Sequence, residues 1–263
     1  MRNDPVTTHI GDDGVARVTL ARAEKHNAFD DGMVASLGDT FHGLAAREDV
    51  RVVVLASEGR NFSAGADLDW MRRMATYDHA HNLQDARLLA DMLHALYSLP
   101  QPTVARVQGA AFGGAVGLVS CCDICVAGAD ATFCLSEVKI GLIPATISPY
   151  VIRAIGERAA RRYCISAERF SASEACHLGL VSQVVATEQL DEAVQDIVTA
   201  IAQNGPAAVR QAKSLLAEVA GRDLSPALIE LTCERIAQIR VSDEGQEGLD
   251  AFLNKRAPNW PGN

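Results

Sequence analysis

The sequence has no excess of basic residues: 24 Lys and Arg stand against 33 Asp and Glu, a formal net charge of −9. A dedicated nucleic-acid binder needs a basic face, so that class is set aside, and any anionic ligand must be met by local donors rather than by the overall field. No charged-then-apolar segment opens the chain at Met1-Arg2-Asn3-Asp4-Pro5, so export is not expected and the cytoplasm is the expected compartment. No apolar run suits a membrane span: the most apolar stretch, 109–129, is broken by Gly113, Gly114 and Gly117 and carries Asp123. Seven cysteines is an odd number, which argues against a disulfide framework. Cys122-Asp-Ile-Cys125 lacks a second pair at zinc spacing and reads as buried, inert thiol; His79-Ala-His81 has no third ligand spaced to join it. No metal is expected. No low-complexity linker divides the 263 residues.

What is present is a 48% hydrophobic chain with 20 scattered glycines, which excludes disorder as the main state and excludes a coiled coil. The length suits one large domain with an appendage. Val6 to Ile10 and Val15 to Leu20, separated by Gly11-Asp12-Asp13-Gly14, predict a hairpin. Met33, Leu37, Phe41 and Leu44 recur at helical spacing, and Val52-Val53-Val54-Leu55 has the continuous β-branched character of a buried parallel strand. A helix is expected from about Asp67, and another over 84–99 with Leu88, Leu89, Met92, Leu93 and Leu96 on one side. The pattern of strand, glycine turn and helix then recurs: Thr103 to Val107, Gln108 to Gly114, and Ala115 to Ser120, followed by strands at Ile124 to Ala127 and Thr132 to Leu135. This predicts a wound ββα repeat. After about residue 190 only helices are expected, over 190–203, 206–220 and 225–240, with a last one from Phe252 ended by Pro258. The reading divides the chain into a core over 1–195 and a helical region over 196–263.

Two turns and one acid carry chemistry. Asn61-Phe62-Ser63-Ala64-Gly65-Ala66-Asp67-Leu68 leaves a strand and enters a helix that Asp67 can cap. Gln108-Gly109-Ala110-Ala111-Phe112-Gly113-Gly114-Ala115 does the same. Small residues there let a ligand approach main-chain N–H groups, and two such turns from neighbouring strands can place two donors on one oxygen. Neither fits a dinucleotide fingerprint or a phosphate-binding loop with its lysine. Glu137 follows a strand on an apolar segment, which raises a carboxyl pKa and suits proton transfer; the bland alternative is an ion pair with Lys139 or an arginine.

On these residues the chain resembles the crotonase (enoyl-CoA hydratase/isomerase) superfamily over nearly its whole length. Arg22-Ala-Glu-Lys-His-Asn27-Ala28-Phe29 is similar to the family's opening R-P-x-x-x-N-A-hydrophobic stretch, and Phe62 to Asp67 and Gln108 to Gly114 are similar to its two oxyanion turns. Cys122-Asp-Ile, Glu137 with Gly141-Leu-Ile-Pro144, Ala175 with Gly179-Leu-Val, and Phe252-Leu-Asn-Lys-Arg-Ala-Pro fit later segments. The resemblance implies an α/β spiral of ββα repeats with a C-terminal helical trimerisation region, assembled as a homotrimer or dimer of trimers. It implies an acyl-CoA thioester as substrate and no separate cofactor, coenzyme A being part of that substrate. It places the oxyanion donors on Ala66 and Gly114, the acid or base on Glu137, and CoA contacts on Lys25, Ala28, Ala64, Asp67, Leu68, Gly113 and Lys255 or Arg256. Within the family the sequence is most similar to bacterial 3-methylglutaconyl-CoA hydratases of leucine and isovalerate breakdown. For such a substrate Arg72 and Arg73 are candidates to meet a distal carboxylate, against the alternative of a solvated helix face or a salt bridge.

One departure bears on mechanism. Many hydratases of this family use two glutamates, one of them three residues after the oxyanion glycine, where this chain has Gly117. Hydration by a single glutamate is the expected activity, and double-bond isomerisation, which needs one proton shuttle and no activated water, is the alternative. RNA binding, seen in some relatives through lysines on the early helix, is disfavoured because residues 30–46 carry Asp30, Asp31 and Asp39 and no lysine.

Overall fold

The computed structural model describes residues 4–260. Its strands are β1 (Val6–Ile10), β2 (Val15–Leu20), β3 (Val52–Ser57), β4 (Thr103–Val107), β5 (Ala110–Phe112), β6 (Ile124–Gly128), β7 (Thr132–Cys134), β8 (Phe170–Ser171) and β9 (Gln183–Val185). The main sheet runs β1-β2-β3-β4-β6-β9. Only its β1–β2 pair is antiparallel, with Val6 opposite Leu20; the other pairings are parallel, Val18 beside Leu55 and Leu55 beside Ala105. The second sheet, β5-β7-β8, stands beside the first, so the Gln108–Gly114 segment contains a short strand rather than being turn throughout.

The helices are α1 (Asp31–Ala45), α2 (Leu68–Met74), α3 (His79–Tyr97), α4 (Gly114–Cys121), α5 (Ser148–Ser166), α6 (Ala172–Leu178), α7 (Leu190–Ala202), α8 (Pro206–Val219), α9 (Pro226–Val241) and α10 (Asp243–Leu253). Among the described residues no helix is long and apolar enough to cross a membrane. Capping sets several starts: Asp30 accepts from the Met33 N–H and Asp67 from the Asp69 and Trp70 N–H groups. Asp78 caps α3, which therefore begins earlier than the apolar spacing alone indicates; Met92, Leu93 and Leu96 are buried as expected, but Leu88 is exposed.

The main core lies between one face of the large sheet and helices α1, α3, α4 and α5, around Val18, Leu37, Phe41, Leu55, Met92 and Leu118. The opposite face packs Val52, Val54, Val104 and Val126 under Leu190, Val194 and Val198 of α7. Buried on both sides, β3 explains the uninterrupted valines of its sequence. Residue 195 falls inside α7, so the helices that stand away from the sheet begin with α8. The last helix is α10, not a segment from Phe252 to Pro258: Ser242 caps it, and it ends at Leu253, where Lys255 adopts a left-handed φ of 53°.

Candidate active site

Both glycine turns are built by neighbours as well as by their own residues. Asn27, fully buried at a φ of 53°, donates to the carbonyls of Glu58 and Asn61 and accepts from the Arg22 N–H, anchoring the segment after β2 beneath the first turn. Phe29 donates its N–H to the Gly65 carbonyl at 2.8 Å and accepts from the Asp67 N–H at 2.7 Å, so Ala66 sits in a parallel bridge with its own N–H directed away from that partner. Ser63 bridges to the second turn, donating to Ala110 O and accepting from Phe112 N–H. Two glycines are needed where the turns meet. At Gly65, with φ of 98°, a Cβ would lie 3.3 Å from the Phe112 carbonyl oxygen; at Gly113, with φ of 55°, it would lie 3.3 Å from Glu137 Oε1. The Gly113 N–H is spent on the Cys134 carbonyl at 2.8 Å, so Gly113 shapes the turn.

Two N–H groups remain. Neither Ala66 nor Gly114 donates a main-chain hydrogen bond to any described residue. Gly114 is the first residue of α4, where helix N–H groups lack internal partners. Ala66 is exposed. Facing the second turn is Glu137, the first residue of a 3₁₀ turn over Glu137–Ile140. Its Oε2 is buried with no hydrogen-bond partner, and no ion pair to it, from Lys139 or an arginine, occurs among the described residues. Burial therefore pushes its carboxyl above the usual range. An unpaired acid with a raised pKa beside two unused N–H donors suits proton transfer to or from a carbon next to a polarised carbonyl.

The place of a second carboxylate is filled. A Cβ on Gly117 would sit 2.2 Å from Ile147 Cγ2 and 2.8 Å from Ile147 Cβ, and Ile147 is buried. The sequence does not point to Ile147, which lies 30 residues away in a segment without periodicity; its one signal is a glycine inside a helix, which costs stability unless something approaches closely. Gly117→Ala and Ile147→Ala are therefore expected to be coupled. In urea denaturation the double variant should be more stable than the summed single losses by about 0.5–3 kcal/mol, the range for residues in contact. Strict additivity would show that Ile147 does not occupy the position.

The remaining candidates separate into three groups. Lys25, Ala28, Ala64, Asp67 and Leu68 surround the first turn: Ala28 is buried, Ala64 and Leu68 are exposed, and Lys25 Nζ lies 3.0 Å from Asp67. The Asp67 carboxylate is 5% exposed, caps α2 and also meets Arg22, and these partners hold its pKa down against the cost of burial. On α2, Arg72 pairs with Asp69 at 2.6 Å and Arg73 with Asp31 at 2.5 Å. Lys255 and Arg256 stand with the C-terminal helices; Arg256 is engaged by Glu247 and Asp250.

The profile described as enoyl-CoA hydratase/isomerase matches residues 11–263. The chain belongs to that family. It is 46% identical to an enoyl-CoA hydratase of Shewanella pealeana, whose crystal structure superposes with a TM-score of 0.94 over 97% of this chain and 96% of that one. It is 30% identical to the 2,3-dehydroadipyl-CoA hydratase of Escherichia coli K12 over 94% of this chain and 95% of that one. The human mitochondrial enoyl-CoA hydratase domain-containing protein 3 is 32% identical, over 94% of this chain and 81% of its own. The two sheets and ten α-helices of the described residues are thus those of the crotonase fold.

Proposed function

We propose that the enzyme adds water across the Cα=Cβ bond of an enoyl-CoA thioester, or removes it, with Glu137 as the single acid–base. The observation that carries this reading is the unpaired, buried Glu137 carboxyl beside two turns whose Ala66 and Gly114 N–H groups are unused. The thioester oxygen accepts from both N–H groups as negative charge develops on it, Glu137 takes a proton from water as its oxygen bonds to Cβ, and the same carboxyl returns a proton to Cα. Lys25, Ala28, Ala64 and Leu68, beside the first turn, are the proposed CoA contacts within the chain, with Asp67 fixing Lys25; Lys255 is a further contact from the C-terminal helices.

The finer reading is a branched enoyl-CoA with a distal carboxylate, 3-methylglutaconyl-CoA or a close relative. It is supported by the sequence resemblance and by the E. coli relative named for 2,3-dehydroadipyl-CoA, whose acyl chain also ends in a carboxylate. Arg72 and Arg73 already pair with acids, so recognition through either requires exchange of that partner. Isomerisation is the second reading, favoured by Ile147 standing where a second carboxylate would be. A panel of enoyl-CoA thioesters in ¹⁸O-labelled water separates them. Label at Cβ, with 3-methylglutaconyl-CoA the best substrate, is the expected result; double-bond migration without label would establish the isomerase.

The surface supports a reading of the assembly. Val241, Phe252 and Leu253 are 78%, 81% and 75% exposed in the single chain, and Leu216 and Ile236 add to the apolar area of the C-terminal helices. Exposed apolar side chains concentrated on these helices support a subunit contact, and we propose a homotrimer or a dimer of trimers. Light scattering at micromolar concentration should give a trimeric or hexameric mass, and a stable monomer would contradict the proposal.

A further inference from the structure

A cavity of about 510 Å³, lined mostly by polar and charged residues, opens on the sheet face covered elsewhere by α7, beside the first turn of that helix. Its size is within the usual range for small-molecule sites. None of Ala66, Gly114, Glu137 or Lys25 lines it. It is instead lined by three arginines from three separate segments: Arg17 on β2, Arg60 after β3, and Arg106 on β4.

The three differ in state. Arg106 is built into the wall: its side chain is 17% exposed, it grips Asp191 through Nε and Nη2 at 2.6 and 3.1 Å, and its Nη1 donates to Gln108 Oε1 at 2.9 Å. Gln108 is in turn buried and locked to Ser57 and Gly59. A guanidinium has five N–H donors, so Arg106 keeps donors to spare. The guanidiniums of Arg17 and Arg60 make no hydrogen bond or close ion pair with any described residue, although the Arg17 charge acts on Asp191, which also lines the cavity. Two guanidiniums with their hydrogen-bond donors free, beside a fixed third, match the several oxygens of a phosphate far better than a single positive charge does. The cavity also holds Asp130, whose Oδ1 accepts from the Thr187 hydroxyl at 2.6 Å while Oδ2 has no hydrogen bond to a described residue. That free carboxylate oxygen repels a bare anion but accepts from a hydroxyl.

We propose that this groove binds a small phosphate monoester whose carbon portion carries hydroxyl groups, the phosphate on Arg17, Arg60 and Arg106 and a hydroxyl donating to Asp130. The site is separate from the acyl-CoA site and does not depend on the hydratase reading. The test is calorimetric titration of the full-length protein with glycerol 3-phosphate, alongside inorganic phosphate. Saturable millimolar or tighter binding of glycerol 3-phosphate is expected, with inorganic phosphate weaker. Arg17→Gln with Arg60→Gln should weaken binding about tenfold or more, with an unchanged circular dichroism spectrum because neither side chain has a hydrogen bond to lose. Asp130→Asn should narrow the gap between the two ligands, and Lys25→Ala should leave both affinities unchanged. Absence of saturable binding overturns the proposal. So does binding that survives loss of both arginines, or binding that Lys25→Ala abolishes.

Discussion

Glu137→Gln is expected to lower turnover by about 10²–10⁴-fold, the usual contribution of a positioned acid–base, while changing affinity for a CoA thioester little. The substitution keeps size and hydrogen-bonding capacity but cannot exchange a proton. Glu137 Oε1 lies against Gly113 and Oε2 is buried without a partner, so the change breaks no ion pair among the described residues. Gly117 supplies no second carboxylate to take over. Full turnover in a folded Glu137→Gln variant would remove Glu137 from the mechanism and with it the single-acid reading.

The same residue gives a stability effect of known sign. Burial raises the Glu137 pKa in the folded protein above its unfolded value. The folded state therefore holds this proton more tightly, and stability present below the ordinary carboxylate range is lost as pH rises through the raised pKa. Glu137→Gln removes that loss. The variant should be more resistant to urea than the parent at neutral pH, and the difference should vanish in acid. The acid limb of kcat/KM in the parent should correspondingly lie above the pH at which an exposed glutamate titrates.

Much of this was legible in the sequence because it is local. The valine run of β3, the capping Asp67 and the glycines at 65 and 113 announce themselves through burial, a cap and a positive φ, each a property of a few consecutive residues. Glu137 was visible as an acid out of place on an apolar segment. What the sequence did not reveal comes from distant contacts. Ile147 against Gly117, Phe29 bridging Ala66 and Cys134 holding the Gly113 N–H each join residues whose pairing depends on how the two sheets stand together. The β5 strand is hidden in the sequence because three residues with glycines on both sides carry no alternation to detect. The end of the chain misled for a related reason: Phe252 and Leu253 belong to a helix whose start is set by Ser242, ten residues upstream.

Gly114→Pro and Gly114→Ala form the second decisive comparison, because they differ in one N–H. Gly114 opens α4, a position where proline fits the helical φ and no internal hydrogen bond is lost. A Cβ there would lie 3.6 Å from Phe29 Cδ2 and Cε2, an ordinary contact, so neither substitution meets a steric bar at that atom. Alanine keeps the donor and is expected to retain most of the activity. Proline deletes it, and loss of one oxyanion donor costs about 2.7–4 kcal/mol of barrier, a hundred- to a thousandfold in turnover. Because proline also restricts the residue before it, and Gly113 holds an unusual conformation with φ 55° and ψ −122°, the circular dichroism spectrum and urea midpoint of each variant must accompany its rate. A folded proline variant as fast as the parent would show that the Gly114 N–H does not meet the thioester oxygen. An alanine variant as slow as proline would mean instead that the position matters for its shape, with Ala66 left as the donor still to be tested.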